Sequence, residues 1–266
     1  MTATRALAGG LLALIALAAL WPSLLTSIPY DRQFRDQPNA PMCRQFPLGT
    51  DDLGRDRLSR VLYGTRVSLL AAPAAALLST FLAALAGGLA GYFGGWCDRL
   101  TVALIDLMLS LPWLFLLIIV RALLPLNVPA LASLLLTFGL IGLLGWPAAA
   151  RVMRAGCRDL RQSDMVLLAS AGGVAPGRIL WRYLLPNLRP VLSAKFWISI
   201  PIYILAEANL GLLGLGVADP LPSWGNLLRQ LETGWNRDAA SWVPLLLIAI
   251  VVGCLHLLRP REEVVR

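Results

Sequence analysis

The chain has 266 residues, of which 58% are hydrophobic and only 14% are charged. Soluble domains have about 45–50% apolar and about 25% charged residues, so the composition excludes a soluble enzyme and an intrinsically disordered chain. The net charge is +8, but the basic residues lie between apolar runs, as in membrane-protein loops, and not on a nucleic-acid-binding face. We therefore expect an all-α polytopic membrane bundle of about six transmembrane helices.

Six apolar runs are each long enough to cross a bilayer, which takes about 20 residues. They are Ala6–Ile28, Ser68–Phe93, Leu100–Leu124, Val128–Ala150, Val191–Leu215 and Ser241–Leu258. The first run contains an Ala16-Leu17-Ala18 triplet, so a cleaved signal peptide is one interpretation of this run. Its length and the flanking Trp21 and Tyr30 favour a retained N-terminal transmembrane anchor over residues 1–28.

The connections between the runs indicate the orientation. Residues 151–190 carry seven arginines against two aspartates, so the positive-inside rule places them in the cytoplasm. With six spans, both termini and the tail of residues 259–266 are then cytoplasmic. The loop of residues 29–65 is extracytoplasmic; residues 29–67 hold seven arginines, but also five aspartates, and the rule weakens in long loops.

Two kinds of residue stand out inside the runs. Gly87, Gly91 and Gly95 follow one another at four-residue spacing, which is typical of close helix packing in membranes. Asp106 and Glu207 lie in apolar surroundings, where a carboxylate faces the bundle interior or a water-filled path. The residues alone leave open whether these two acids line a pathway or bond to neighbouring helices.

No catalytic or nucleotide-binding motif is present: the sequence has no HExxH, no GxSxG, no Walker-type phosphate loop and no dinucleotide-binding GxGxxG after a strand. The four cysteines are widely spaced and the single histidine, His256, lies inside the last run. We therefore expect no catalytic residue, no metal site and no cofactor bound by this chain.

Residues 161–187 predict two short helices between the fourth and fifth spans. The first would place three residues on one face: Met165, Leu168 and Ala169. Gly172-Gly173 and Pro176-Gly177 end it, and a second helix, Ile179–Leu185, ends at Pro186. Such a pair could lie on the membrane, pack under its own bundle or dock into a groove on a soluble partner.

This segment resembles the coupling loop of binding-protein-dependent ABC importer permeases, whose pattern is E-A-A, three residues, G and, further on, L-P. The matching residues are Ala169, Gly173, Leu185 and Pro186, together with Arg178, Arg182 and Asn187. Leu167 and Leu168 stand where the pattern has glutamate and alanine.

Further segments resemble the "C"-kind permease of dipeptide, oligopeptide and nickel importers, in the family's order over about two thirds of the chain. The first is Pro47–Asp56, with Gly49, Thr50, Asp51, Gly54, Arg55 and Asp56. The others are Leu58–Arg60, Tyr63–Leu69, Gly91–Gly95 with Asp98, Asp106 and Pro112, Gly145–Pro147 with Arg151 and Arg154, Ala206–Ala208, Leu213–Gly216 and Pro222–Asn226. The family's G-D-x-L-R-D ending is absent.

The resemblance implies a permease subunit of an ATP-driven importer that moves peptides, nickel or metal chelates across the cytoplasmic (inner) membrane by alternating access. The transmembrane domain would cover residues 66–258, with the coupling loop at about 151–190. Expected partners are a second permease in a heterodimer, two ATPase subunits that bind ATP and Mg²⁺, an extracytoplasmic substrate-binding protein and membrane lipid, but no nucleic acid. The chain itself would not be an enzyme.

The resemblance also implies which residues couple to the ATPase: Met165, Leu168, Ala169, Gly173, Gly177, Arg178, Arg182 and Pro186. For Arg178 and Arg182, a solvated basic face or a phospholipid headgroup contact remains open. The alternative function is a non-transporting membrane scaffold or regulatory subunit that retains the permease fold.

Overall fold

The computed structural model describes residues 3–234 and 239–259, leaving aside the side chains of residues 231–234 and 239. In these ranges the helices are α1 (Ala3–Leu20), α2 (Arg57–Phe93), α3 (Gly95–Ser110), α4 (Trp113–Leu123), α5 (Ala130–Leu144), α6 (Pro147–Arg161), α7 (Asp164–Ala171), α8 (Pro176–Ile179), α9 (Leu185–Asn187), α10 (Arg189–Leu212), α11 (Trp224–Gly234) and α12 (Val243–Leu258). A π-helical turn, Leu180–Leu184, joins α8 to α9, and 3₁₀ turns occupy Pro22–Leu24 and Ala239–Trp242. The predicted all-α bundle is confirmed.

Five segments within the described ranges are long and apolar enough to span a membrane: Ala3–Leu20, Arg57–Phe93, Ala130–Arg161, Arg189–Leu212 and Ala240–Leu258. The pair α3 and α4 is a sixth candidate, but the two helices are bent by 90° relative to each other. The predicted third span, Leu100–Leu124, is therefore not one straight helix. Pro112 disfavours helical backbone at the residue before it, and Leu111 is extended, with φ −99° and ψ 140°.

The first two predicted spans also differ from the structure at their ends. The run Ala6–Ile28 is not one helix, because α1 ends at Leu20 before a 3₁₀ turn. α2 begins eleven residues before the predicted Ser68, since Asp56 caps it by accepting the Ser59 backbone N–H at 2.9 Å. At 37 residues α2 is about 55 Å long, so it extends well beyond a hydrocarbon layer of about 30 Å.

α2 lies at the centre of the bundle and packs against α5, α6 and α10. Its buried face consists of small residues such as Ala72 and Ala76, which cluster with Ile141 of α5 and Tyr203 of α10. Many large apolar side chains instead face outward, among them Leu7, Phe81 and Leu123. An extensive exposed apolar surface is typical of a protein that is embedded in lipid.

Candidate functional site

Two glycines of α2 bring it into close contact with α6. A Cβ atom at Gly87 would lie 2.5 Å from the carbonyl oxygen of Ala150, and one at Gly91 would lie 2.5 Å from that of Arg154. Only a residue without a side chain permits this approach. Gly95 does not belong to this stripe, because α2 ends before it and, in the described part of the chain, a Cβ there would meet no atom within 4 Å.

The region predicted as a loop, residues 151–190, is almost entirely helical. Residues 151–161 form the end of α6, which follows α5 after a short break at Gly145 and Trp146. Residues 164–187, here called the α7–α9 hairpin, fold back against the C-terminal end of α2. Its contacts form one buried apolar cluster: Val166, Ile179, Leu180 and Leu184, with Leu89 and Tyr92 of α2 packed on them.

The structure shows which face of α7 packs on the bundle, a point that the sequence left open. Val166 is only 3% exposed and Ala169 is partly buried beside it, whereas Met165 and Leu168 face outward. The predicted face of Met165, Leu168 and Ala169 thus lies mainly on the outer side of α7, with Ala169 at its inner edge. Because apolar residues occur on all sides of this short helix, its sequence does not fix the inward face. Leu168, at 72% exposed, and Met165 give the hairpin an apolar outer surface.

Gly173 ends α7 in a Schellman motif. The Val174 N–H donates to the carbonyl of Ala169 at 3.1 Å, and the Gly173 N–H donates to that of Ser170 at 3.0 Å. Gly173 has a φ of +74°, a left-handed conformation that favours glycine. Among the described residues, none would contact a Cβ added at Gly173, so the requirement for glycine comes from the backbone alone.

The second half of the hairpin is longer than predicted. Instead of a helix from Ile179 that ends at Pro186, helical structure runs from Pro176 to Asn187. Pro186 directly follows the π-helical turn, at whose end the Leu185 N–H donates to the carbonyl of Leu180, five residues earlier. Three residues of the predicted coupling set are exposed on this half: Gly177, Arg178 and Arg182.

Two ion pairs join α3 to α6 near the hairpin. Asp98 pairs with Arg154, with 2.6 Å between Asp98 Oδ2 and Arg154 Nη2, and Asp106 pairs with Arg151. These contacts bring together residues that are 45 and 56 positions apart in the chain. Asp106 is exposed, and it pairs with Arg151 of the neighbouring helix α6.

At the opposite end of α2, residues 46–56 form a compact loop, here called the motif loop. Gly49 and Gly54 have φ values of +72° and +71°, and a Cβ at Gly49 would lie 2.5 Å from the carbonyl oxygen of Ala40. Thr50 Oγ1 accepts the Ala40 N–H at 2.8 Å and donates to the Gln37 carbonyl at 2.6 Å. These contacts tie the motif loop to the preceding segment, residues 37–40.

Two arginines and two aspartates connect the motif loop to the segment before α11. Asp51 Oδ2 lies 2.7 Å from Arg55 Nε, and Asp219 Oδ1 accepts from both Arg55 and Arg60 at 3.1 Å. Asp51, Arg55 and Arg60 are buried, while Asp219 is partly exposed. Arg60 and Asp219 were not predicted as site residues, and no local pattern pairs them because 159 residues separate them.

Glu207 is buried in α10 beside the first turn of α11. Its Oε2 accepts the Gly225 N–H at 3.2 Å, and its Oε1 has no hydrogen-bond partner among the described residues. A Cβ at Gly225 would lie 2.7 Å from that Oε1, so the carboxylate is tightly enclosed. Glu207 is thus positioned to hold α11 against α10.

A polar network in the middle of the bundle was missed. The Lys195 ammonium donates to the Gly145 carbonyl at 3.0 Å and lies 3.4 Å from the Tyr203 hydroxyl, which donates to Ser79 Oγ at 2.7 Å. The network ties α10 to α2 and to the break between α5 and α6. One sequence feature could have indicated this network: Lys195 is the only lysine in the sequence.

The described residues contain no group of three or more His, Cys, Asp or Glu that could hold a metal ion. Residues 83–259, about two thirds of the chain, match the family described as "Binding-protein-dependent transport system inner membrane component". The chain belongs to this family. The permease is accordingly a transport component and a multi-pass membrane protein, as the resemblance implied.

Curated relatives agree with this family membership. The permease is 33% identical over 239 residues to a putative peptide permease protein of Brucella suis, covering 86% of this chain and 77% of the relative. It is 35% identical over 216 residues to the dipeptide transport system permease protein DppC of Haemophilus influenzae, covering 80% and 70%. It is also 33% identical over 232 residues to the glutathione transport system permease protein GsiD of Pectobacterium atrosepticum, covering 86% and 74%.

Proposed function

We propose that this permease imports peptides by alternating access, in a complex with a second permease, two ATPase subunits and an extracytoplasmic binding protein. The observation that carries the proposal is the α7–α9 hairpin, which Val166 and its neighbours anchor to the bundle while Met165 and Leu168 face outward. An exposed apolar helix face of this kind suits a groove on a partner. The names of the relatives support peptides as the substrate class.

The hairpin is linked to several helices, so a displacement of the hairpin would be transmitted to them. It follows α6 and precedes α10 in the chain, and its buried cluster includes residues of α2. Gly87 and Gly91 hold α2 against α6, and Lys195 bonds α10 to the Gly145 carbonyl. Closure of the ATPase pair around bound ATP and Mg²⁺ would therefore move α2, α6 and α10 together. In this proposal the permease binds no cofactor of its own.

In this mechanism the hairpin lies on the cytoplasmic side of the inner membrane. Support comes from the seven arginines of residues 151–190 and the positive-inside rule. Both termini are then cytoplasmic, and the motif loop lies on the side where a binding protein delivers substrate. The scaffold alternative has no support among the described residues or the relatives.

Reconstituted vesicles that contain the whole complex test this function. We expect wild-type complex to accumulate a labelled dipeptide only when ATP is supplied. Gly173→Val should reduce this accumulation several-fold while ATP hydrolysis continues, because a left-handed conformation costs a non-glycine residue about 1–2 kcal/mol and the hairpin would be displaced. Uptake and hydrolysis are measured in the same vesicles.

A matched variant at the same position serves as the control. Gly173→Asn should retain most uptake, since asparagine tolerates the left-handed region. Unchanged uptake in Gly173→Val would remove the hairpin from the coupling mechanism. Accumulation of nickel instead of any peptide would replace the proposed substrate but not the permease function.

A further inference from the structure

A groove of about 450 Å³ runs along the C-terminal half of α2, between this helix and the segment from Leu180 to Leu192. Leu77, Phe81, Leu85 and Leu89 line it on the α2 side. From Leu77 to Leu89 an α-helix advances about 18 Å, close to half of a hydrocarbon core of about 30 Å. The groove therefore has the length of one bilayer leaflet.

One charged group occurs among the described residues that line the groove. This group is Arg189, the first residue of α10; Thr80, which also lines the groove, donates its hydroxyl to the Ala76 carbonyl at 2.7 Å and is thereby satisfied. The Arg189 side chain is exposed and forms no hydrogen bond or ion pair within residues 3–234 and 239–259. By contrast, Arg151 and Arg154 on α6 each pair with an aspartate.

The sequence around Arg189 carries only positive charge. Residues 165–206 contain no aspartate or glutamate, but they contain Arg178, Arg182, Arg189 and Lys195. Trp181, which is 63% exposed, also lines the groove, and exposed tryptophan is typical of the interface between lipid headgroups and acyl chains. A basic site between helices at one side of a membrane is complementary to anionic headgroups.

We propose that this groove binds an anionic phospholipid, with one acyl chain along α2 and the phosphate held by Arg189. A helix of a second permease is a less suitable occupant, because it would enclose Arg189 without an acidic partner from this chain, and burial of an unpaired charge is costly. The site is separate from the outer face of α7 and does not depend on the identity of the transported substrate.

Photo-crosslinking with a defined lipid tests the site. The probe is phosphatidylglycerol with a diazirine in one acyl chain, mixed into vesicles that hold the full-length permease with its accompanying subunits. We expect labelled peptides from residues 77–89 and 180–192. Arg189→Gln should lower this labelling about five-fold, corresponding to about 1 kcal/mol for one arginine near an anionic surface, whereas Arg189→Lys should preserve it.

Four further measurements complete this test. Arg35→Gln, which removes an exposed arginine outside the groove, should leave the labelling unchanged. Ala84→Phe should reduce it by filling the groove, with thermal unfolding measured to show that the fold is retained. Equal labelling by the phosphatidylcholine analogue, or no loss in Arg189→Gln, would overturn the anionic site. Crosslinking of Ala84→Cys to the second permease at full yield would show that a protein helix fills the groove, which also overturns the proposal.

Discussion

Replacing Gly91 by alanine is expected to destabilise the permease by about 1–3 kcal/mol, the range for overpacking a tight contact. The added Cβ would lie 2.5 Å from the carbonyl oxygen of Arg154 and 2.7 Å from the Cβ of Cys157. A backbone carbonyl oxygen and a Cβ atom cannot move aside unless the helix backbone moves, so α2 and α6 would have to separate. Thermal unfolding of the purified permease and the yield of folded protein measure this effect.

The neighbouring Gly88 provides the control. A Cβ there would lie 3.6 Å from Leu180 Cδ1, an ordinary contact with a flexible side chain. Gly88→Ala should therefore match wild type or be more stable, because alanine favours a helix over glycine by up to about 1 kcal/mol. Equal losses of stability at Gly88 and Gly91 would mean that helix packing does not explain the glycine requirement.

Asp51→Asn is expected to be the most damaging substitution in the motif loop, at about 3–5 kcal/mol, because it breaks a buried charge pair. Asp51 Oδ1 also accepts the backbone N–H groups of Leu53 and Arg55, at 3.0 and 2.8 Å. Asparagine nearly preserves the shape of aspartate, but Arg55 and Arg60 would then share Asp219 as their only carboxylate in the cluster. Thermal unfolding and protease cleavage within residues 29–56 report the loss.

The adjacent Asp52 belongs to the same sequence motif but is exposed. Asp52→Asn should change stability by no more than about 0.5 kcal/mol, as is usual for surface substitutions. If both variants were equally stable and equally impaired in uptake, the motif would act through its charge at the membrane surface and not through the buried cluster.

Sequence patterns predicted features that depend on neighbours along one helix. The four-residue spacing indicated the contact made by Gly87 and Gly91, but it included Gly95, because spacing does not show where α2 ends. The apolar run Leu100–Leu124 predicted membrane-embedded helix, but hydropathy does not report the bend at Pro112. In α7 the inward position of Val166 depends on tertiary contacts with α2.

Contacts between residues that are far apart in the chain could not be predicted from sequence patterns. Arg60 and Asp219 are 159 residues apart, and Lys195 and Gly145 are 50 apart. Each pair combines common residue types, so a single sequence contains no periodicity that links them. The motif residues were recognisable by resemblance, but their physical role in folding the loop followed only from the positive φ values of Gly49 and Gly54 and the buried Asp51.

In the proposed mechanism, the outer face of the α7–α9 hairpin contacts the ATPase and turns ATP hydrolysis into peptide import. Site-directed crosslinking of the intact complex from Leu168→Cys tests this contact, with Val166→Cys as the buried control. We predict that Leu168→Cys crosslinks to the ATPase subunit and that the crosslink stops peptide uptake, while Val166→Cys gives no such product. A complex that imports peptide without any ATPase crosslink from Leu168→Cys would show that this face does not contact the ATPase.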